Sequence, residues 1–192
     1  MIDQLYFNLY RYATLLFFPI SKLVIKWRIK NGKEHSIRWK EKLGEPSIGR
    51  PPGKLVWLHA VGLGEVLALR GLILELHKKQ GNLNFLVTSS TVLSAEVFEK
   101  NCPPKTIHQF LPYDVKIYGE RFLRYWKPDL VIWSEQDVWP GLSYQAYNLG
   151  IKQVLVNGKI SQESFSRRIK IKPLHRFVYK NFEFISTQDL SS

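Results

Sequence analysis

The stretch Lys54–Glu65, KLVWLHAVGLGE, decides the fold. Its first six residues, Lys54–His59, are rich in branched and aromatic side chains and read as a buried strand. Gly62-Leu63-Gly64 ends the run. Val66, Leu69, Ile73 and Leu76 then recur at spacings of three and four, the inner face of a helix from Glu65 to about Gln80. The unit repeats downstream. Strands over Asn84–Ser89 (NFLVTS), Thr106–Leu111 (TIHQFL) and Leu130–Ser134 (LVIWS) alternate with helices over Thr91–Glu99, Lys116–Tyr125 and Gly141–Leu149. Gln153–Asn157 (QVLVN) is a fifth strand, Phe165–Asn181 a basic helical stretch broken at Pro173, and Phe184–Thr187 a sixth strand. Strands alternating with helices predict an α/β fold, a Rossmann-like doubly wound parallel sheet with right-handed crossovers. In such sheets the working site lies beyond the carboxyl ends of the strands, where the strand order reverses. The usual order makes the first and fourth strands neighbours and sets the loop carrying Glu65 beside the loop carrying Glu135.

Upstream, Leu5–Ile25 is apolar but interrupted by Asn8, Arg11, Ser21 and Lys22. The uninterrupted part falls well short of the roughly 20 apolar residues that cross a bilayer. No basic segment precedes it and no small-residue cleavage site follows, so it does not read as a secretory signal. An interfacial helix suits it better, with Tyr6, Tyr10, Tyr12 and Trp27 at headgroup level. Lys22, Lys26, Arg28, Lys30, Lys33, Arg38, Lys40 and Lys42 would then meet anionic lipid, at about 1 kcal/mol each near the surface. The alternative is a helix packed on the domain with a solvated basic face. Gly44–Gly53 (GEPSIGRPPG) reads as a linker. The expected organisation is therefore a membrane-associating segment over 1–48 and a Rossmann-like domain over 49–192.

Composition narrows the functional classes. Of 192 residues 45% are hydrophobic and 23% charged, which excludes disorder. Cys102 is the only cysteine, so a disulfide framework and cysteine-based metal clusters are excluded. The net charge of +12 sits at the ends: residues 1–48, 49–151 and 152–192 carry +5, +2 and +5. A nucleic-acid module would spread a basic stripe across the folded domain, interleaved with exposed aromatics. The aromatics here lie inside apolar runs, so an anionic membrane surface or acidic substrate is the expected partner, and no nucleic acid.

The loops carry the chemistry. Gly62-Leu63-Gly64 lacks the third glycine of a dinucleotide fingerprint, where Leu67 stands, and Glu65 would repel a pyrophosphate at the helix start. There is no Walker A sequence and no G-x-S-x-G elbow, and the five histidines show no metal-ligand spacing. No cofactor and no metal are expected. An acid at a helix start also has a bland explanation, since the macrodipole favours it by about 0.3–1 kcal/mol. Glu135 and Asp137, followed by Trp139-Pro140, suggest a polar site with an aromatic wall, although Trp139 could equally be core. Ser89, Ser90 and Thr91 can cap a helix or donate to a ligand. Lys159 can contact an anion.

Together these loops resemble one family, the 3-deoxy-D-manno-octulosonic acid (Kdo) transferases, which add Kdo to the lipid A precursor in Gram-negative bacteria. The resemblance rests on RWKEKLGEP (38–46), WLHAVGLGE (57–65), LVTSSTVLSA (86–95), HQFLPYD (108–114), RFLRYWKPDLVIWSEQDVWP (121–140) and VNGKISQESF (156–165), in register along essentially the whole chain. It implies the amino-terminal, acceptor-binding half of a two-domain (GT-B) glycosyltransferase. The CMP-Kdo-binding half would lie outside this chain, a separately encoded half being one such arrangement. Glu65 is implied as the proton acceptor and Glu135 as the transition-state stabiliser. Gly64, Ser89, Ser90, Thr91, Asp137, Trp139 and Lys159 are implied to bind the acceptor. The implied reaction moves Kdo from CMP-Kdo to a glucosamine hydroxyl with inversion, at the cytoplasmic side of the cell inner membrane. The alternative is a catalytically inactive module that binds anionic lipid. The sequence departs from the family at Gly62, where Ser is common, at Gly141, where Asn is common, and at Lys159, where an Arg is common. Lysine loses the bidentate fork of arginine.

Overall fold

The computed structural model describes residues 1–135 and 138–188. Its centre is a six-stranded, all-parallel sheet in the order β3-β2-β1-β4-β5-β6. The strands are β1 (Leu55–His59), β2 (Asn84–Ser89), β3 (Thr106–Phe110), β4 (Leu130–Ser134), β5 (Lys152–Gly158) and β6 (Phe184–Thr187). The connecting helices are α2 (Leu63–Lys79), α3 (Val92–Lys100), α4 (Lys116–Trp126), α5 (Pro140–Asn148), α6 (Gln162–Arg168) and α7 (Lys172–Tyr179), preceded by α1 (Ile2–Lys30). The order reverses between β1 and β4, as the alternating pattern predicts.

Both faces of the sheet are covered, which is why its strands read as unbroken apolar runs. Alternation within each strand divides the core. Leu55, Trp57, Val131 and Trp133 pack under Phe122, Trp126 and Leu142 of α4 and α5. Val56, Leu58, Phe85 and Val87 pack under Val66, Leu69, Ile73 and Phe98 of α2 and α3. Each large side chain fully buried in this way contributes about 1.5–3 kcal/mol. The indoles are partnered where polar groups reach them: Trp57 Nε1 donates to Thr88 Oγ1 at 2.8 Å and Trp133 Nε1 to Gln153 Oε1 at 3.0 Å.

The helical stretch before β6 breaks at a 3₁₀ turn over Ile169–Ile171, just ahead of Pro173, which sits in the first turn of α7 where its missing N–H costs nothing. Pro19, by contrast, lies inside α1 without ending it.

α1 lies on the sheet domain. Phe7 is buried against Tyr144, Leu174 and Phe177, Ser21 Oγ is 2.7 Å from Tyr118 Oη, and Ile25 joins Leu43, Val115 and Tyr118. Its opposite face is an exposed apolar stripe, Leu5, Leu9, Tyr12, Leu16, Ile20, Leu23 and Trp27, with Tyr12 at 68% and Leu16 at 77% exposure. Those spacings of three and four make one continuous face. Lys22, Lys26 and Lys30 are exposed on the same helix. The basic run is thus only partly outward. Arg38 is folded into a polar network, Lys42 is buried, and Tyr10, expected at headgroup level, turns inward to donate to Asp114. Among the described residues, no helix is long and apolar enough to cross a membrane.

The 44–53 segment is pinned down. Gly44 ends a 3₁₀ turn over Arg38–Leu43 with φ 74°, and a Cβ there would fall 2.2 Å from the carbonyl oxygen of Tyr118. Arg50 donates to the carbonyls of Trp126 and Pro51 at 2.6 and 2.7 Å.

Two buried histidines make the fold sensitive to acid. His59 is enclosed at the end of β1, and burial pushes its pKa down to about 3, against a hydrogen bond to Thr88 that raises it. His108 is also pushed down to about 3, by burial and then by the cations of Arg38 and Lys42. A guanidinium can only donate, so the His108 Nδ1 3.0 Å from Arg38 is the acceptor, and its Nε2–H donates to Ser89 Oγ. Both folded values lie below the free value of 6.5. Between them only the unfolded chain takes up protons, so this stability is complete above pH 6.5 and is lost as pH falls toward 3. At about 1.4 kcal/mol per pH unit for each histidine, the unfolding free energy should drop by a few kcal/mol by about pH 5. Urea midpoints measured from pH 7 downward check this; a flat profile would contradict it.

Candidate functional site

The predicted residues follow or end strands β1, β2, β4 and β5, at the carboxyl edge of the sheet. Glu65 is the third residue of α2, and its Oε2 accepts the backbone N–H groups of Val61 and Gly62, each at 3.2 Å. The bland reading of Glu65 is therefore also present: it supplies the glutamate half of a capping box to its own loop, while Gly62 has no side chain to return the second bond. Gly62, where the resemblance implies Ser, is the N-cap, and a Cβ there would lie 3.0 Å from Glu65 Oε1. Gly64 beside it meets open space.

Glu135 follows β4, in register with the β1 end, and its N–H donates to the carbonyl of Val156 at 3.0 Å. Its φ is 59°, a left-handed conformation that costs a β-carbon-bearing residue roughly 1–3 kcal/mol. Its neighbour on β5, Asn157, is also left-handed, at φ 56°. Glu135 lines a cavity of about 260 Å³ between β5, β6 and α7, together with Lys159, Arg168 and Tyr179. Glu65 does not line this cavity. The two acids thus come from adjacent strand ends, but Glu65 is held by its own loop while Glu135 lines a separate cavity that also includes Lys159.

The residues after β2 divide. Ser89 is sealed inside, with Oγ 2.9 Å from His108 Nε2, and does not reach the rim; it is the last residue of a strand that is buried from Phe85 onward. Thr91 caps α3 by accepting from Ser94 N at 3.1 Å, and Ser94 Oγ donates to Val61 O at 3.2 Å, which ties α3 to the Glu65 loop. Ser90 faces a second cavity, of about 270 Å³, shared with Trp139, Lys42, Glu34 and Tyr113. Trp139 is 37% exposed, so it is wall rather than core. Asp137 lies outside the described residues.

Sequence reasoning missed the polar groups of that second cavity. Lys42, assigned above to a lipid-facing run, is 4% exposed and donates to the carbonyl of Ser90 at 2.9 Å. Burial holds its pKa at about 8, with the Arg28 cation lowering it further and Glu34 and Glu41 opposing. The signal was faint: Lys42 sits between Glu41 and Leu43, just before the glycine that ends the turn.

Asp114 was also missed as an organiser. Its carboxylate accepts from the N–H groups of Gly141 and Leu142 at 2.8 and 2.7 Å and from Tyr10, joining α5 to α1 and fixing the Trp139-Pro140 turn. Burial pushes its pKa up, against the hydrogen bonds from Tyr10, Gly141 and Leu142. Gly141 is a requirement of this arrangement, because a Cβ there would lie 2.6 Å from Asp114 Oδ1. Gly71 in α2 meets nothing within 4 Å. Gly71→Ala should raise stability by about 0.5–1 kcal/mol, whereas Gly141→Ala should lower it by about 1–3 kcal/mol. Thermal unfolding of both variants checks the opposite signs; stabilisation by Gly141→Ala would contradict the contact.

A family model described as 3-deoxy-D-manno-octulosonic-acid transferase (kdotransferase) matches residues 37–192. The chain belongs to this family. A probable mitochondrial 3-deoxy-D-manno-octulosonic acid transferase of Arabidopsis thaliana is 40% identical over 84% of this chain and 36% of its own length. The 3-deoxy-D-manno-octulosonic acid transferase of Rickettsia bellii is 34% identical over 94% of this chain and 43% of its own. That of Haemophilus influenzae is 28% identical over 80% and 37%. The chain therefore spans less than half the length of these Kdo transferases. Among solved structures, the UDP-GlcNAc 2-epimerase of Neisseria meningitidis aligns with 68% of this chain and 39% of its own at 12% identity, with a TM-score of 0.48.

Proposed function

We propose that this Kdo-transferase chain supplies the acceptor side of a glycosyl transfer from CMP-Kdo to a glucosamine hydroxyl of the lipid A precursor. CMP-Kdo is held mainly by a second half of the kind the resemblance implies. No cofactor or metal takes part in this reading. The observation that carries it is Glu65, a partly exposed residue at the mouth of the sheet, where β1 and β4 are neighbours.

Glu65 Oε2 is occupied by its loop, which fixes the side chain and leaves Oε1 to take the proton. As the acceptor O–H loses its proton to Glu65, the oxygen bonds to the anomeric carbon of Kdo. The bond from that carbon to the CMP phosphate breaks, and CMP leaves with the electron pair, inverting the centre. Glu135 supplies negative charge near the developing oxocarbenium ion. Gly64, Ser90, Thr91, Asp137, Trp139 and Lys159 are the acceptor contacts in this reading; Ser89, sealed beneath them, supports the rim.

The α1 stripe supports a place at a membrane surface; that this is the cytoplasmic side of the inner membrane is what the resemblance implies. Its apolar residues would lie in the interface, with Lys22, Lys26 and Lys30 near anionic headgroups.

The test combines the full chain with a CMP-Kdo-binding half from a relative, on vesicles carrying the lipid A precursor, and follows labelled Kdo. Transfer that needs both halves and rises with anionic lipid is expected. Vesicle binding without any transfer would overturn the enzyme reading in favour of a lipid-binding module. Transfer indifferent to anionic lipid would overturn the membrane placement.

A further inference from the structure

Lys42 carries a charge into a place where charge is expensive. The residue is 4% exposed, and lysine is almost never buried so deeply unless it is paired. The two acids whose charge it feels, Glu34 and Glu41, are already engaged by Arg28 and Arg38, at 3.0 and 2.7 Å. What the ammonium holds is a loop: Nζ donates to the carbonyl of Ser90 at 2.9 Å, with the Phe110 ring centroid 5.2 Å away. The carbonyl of Lys42 itself accepts from Tyr113 N at 2.9 Å. One residue of the turn before Gly44 thus staples the loops that follow β2 and β3.

From Ser90 the hydrogen bonds continue toward Glu65. Thr91, next in the chain, accepts from Ser94 N at 3.1 Å and gives its hydroxyl hydrogen to Ser94 Oγ at 2.8 Å. Ser94 Oγ donates in turn to the carbonyl of Val61 at 3.2 Å. Val61 is held at both ends, because its N–H donates to Glu65 Oε2, also at 3.2 Å. A methionine at position 42 would fill the same length without the desolvation cost of an ammonium, so stability alone does not account for a lysine there.

We propose that Lys42 is a positioning residue for Glu65: by holding the Ser90 carbonyl it fixes the β2–α3 loop, and through Thr91, Ser94 and Val61 it sets the direction of the Glu65 carboxylate. For what Glu65 then does, this rests on the transferase reading. Position matters to such a group, since a displacement of about 1 Å can cost about 10²-fold in rate. Burial suits the task as well, because an ammonium–carbonyl bond is stronger where water does not compete for it.

The experiment is a double-mutant cycle read by amide hydrogen exchange in the full chain, with Lys42→Met and Ser94→Ala. Lys42→Met keeps the side-chain length and the backbone bond from Tyr113, and removes only the donor. Val61 N–H and Gly62 N–H should then exchange about ten-fold faster than in wild type, the loss of one charge-assisted hydrogen bond, while Trp57 and Leu58 in β1 stay unchanged. Ser94→Ala cuts the same connection at Val61 and should act alike, and the double variant should do no more than either. In the assembled halves Lys42→Met should lower kcat by about 10–100-fold, yet cost nothing further on a Glu65→Gln background. Wild-type exchange at Val61 and Gly62 in Lys42→Met, or single effects that multiply in the double variant, would overturn the proposal whether or not transfer is seen. A further loss of kcat on the Glu65→Gln background would overturn it as well. Exchange that responds as expected while the wild-type halves transfer no Kdo would sink the transferase reading and leave the positioning of Glu65 standing.

Discussion

Replacing Glu65 by Gln in the assembled enzyme is expected to lower kcat by about 10²–10⁴-fold, the range of a lost general base. The acceptor KM should change by no more than a few-fold. The substitution separates the two roles of this side chain. A glutamine oxygen can still accept from Val61 N and Gly62 N, as Oε2 does at 3.2 Å, so the loop and the start of α2 persist. What disappears is the ability to take a proton. Thermal unfolding of Glu65→Gln should accordingly match wild type, and kinetics within about three-fold of wild type would confine Glu65 to helix capping.

Glu41→Ala should remove about 3–5 kcal/mol of stability, the cost of breaking a buried charge pair from one side. The Glu41 side chain is fully enclosed and its oxygens are saturated: Arg38 donates at 2.7 and 3.1 Å, Phe110 N at 2.6 Å, and Ser47 as well. Removing the carboxylate leaves the Arg38 guanidinium, only 17% exposed, facing the edge of β3 with Glu99 and His108 as its remaining partners. A domain of this size has about 5–15 kcal/mol in total, so the loss is a large fraction. Urea unfolding at pH 7 measures it; a cost under about 1 kcal/mol would show the network to be ornamental.

What was legible in the sequence follows from range. β1 to β6 and the helices between them are written in local periodicity, and their observed bounds lie within about three residues of the pattern. The adjacency of β1 and β4, and with it that of the strand ends from which the Glu65 and Glu135 loops leave, followed from a rule about parallel sheets and needed no long-range knowledge. Side-chain partners across the fold were not legible. Asp114 caps α5 from 27 residues away and receives Tyr10 from 104 away, and neither spacing leaves a trace in composition. Burial of charge was equally hidden. Arg38, Lys40 and Lys42 look alike in a basic run, yet Lys40 is exposed, Arg38 is networked, and Lys42 is enclosed beside an unpaired glutamate oxygen. Ser89 looked like a rim residue because it ends its strand, but β3 continues alongside and His108 closes over it.

The most direct test is a double-mutant cycle on Kdo transfer by the assembled halves, using Glu65→Gln, Glu135→Gln and both together. Groups that serve one chemical step are strongly non-additive. The account predicts that each single variant is slow and that the double variant is about as slow as the worse of the two. Losses that simply multiply, or a Glu135→Gln variant as fast as wild type, would place the two carboxylates in separate sites and contradict it.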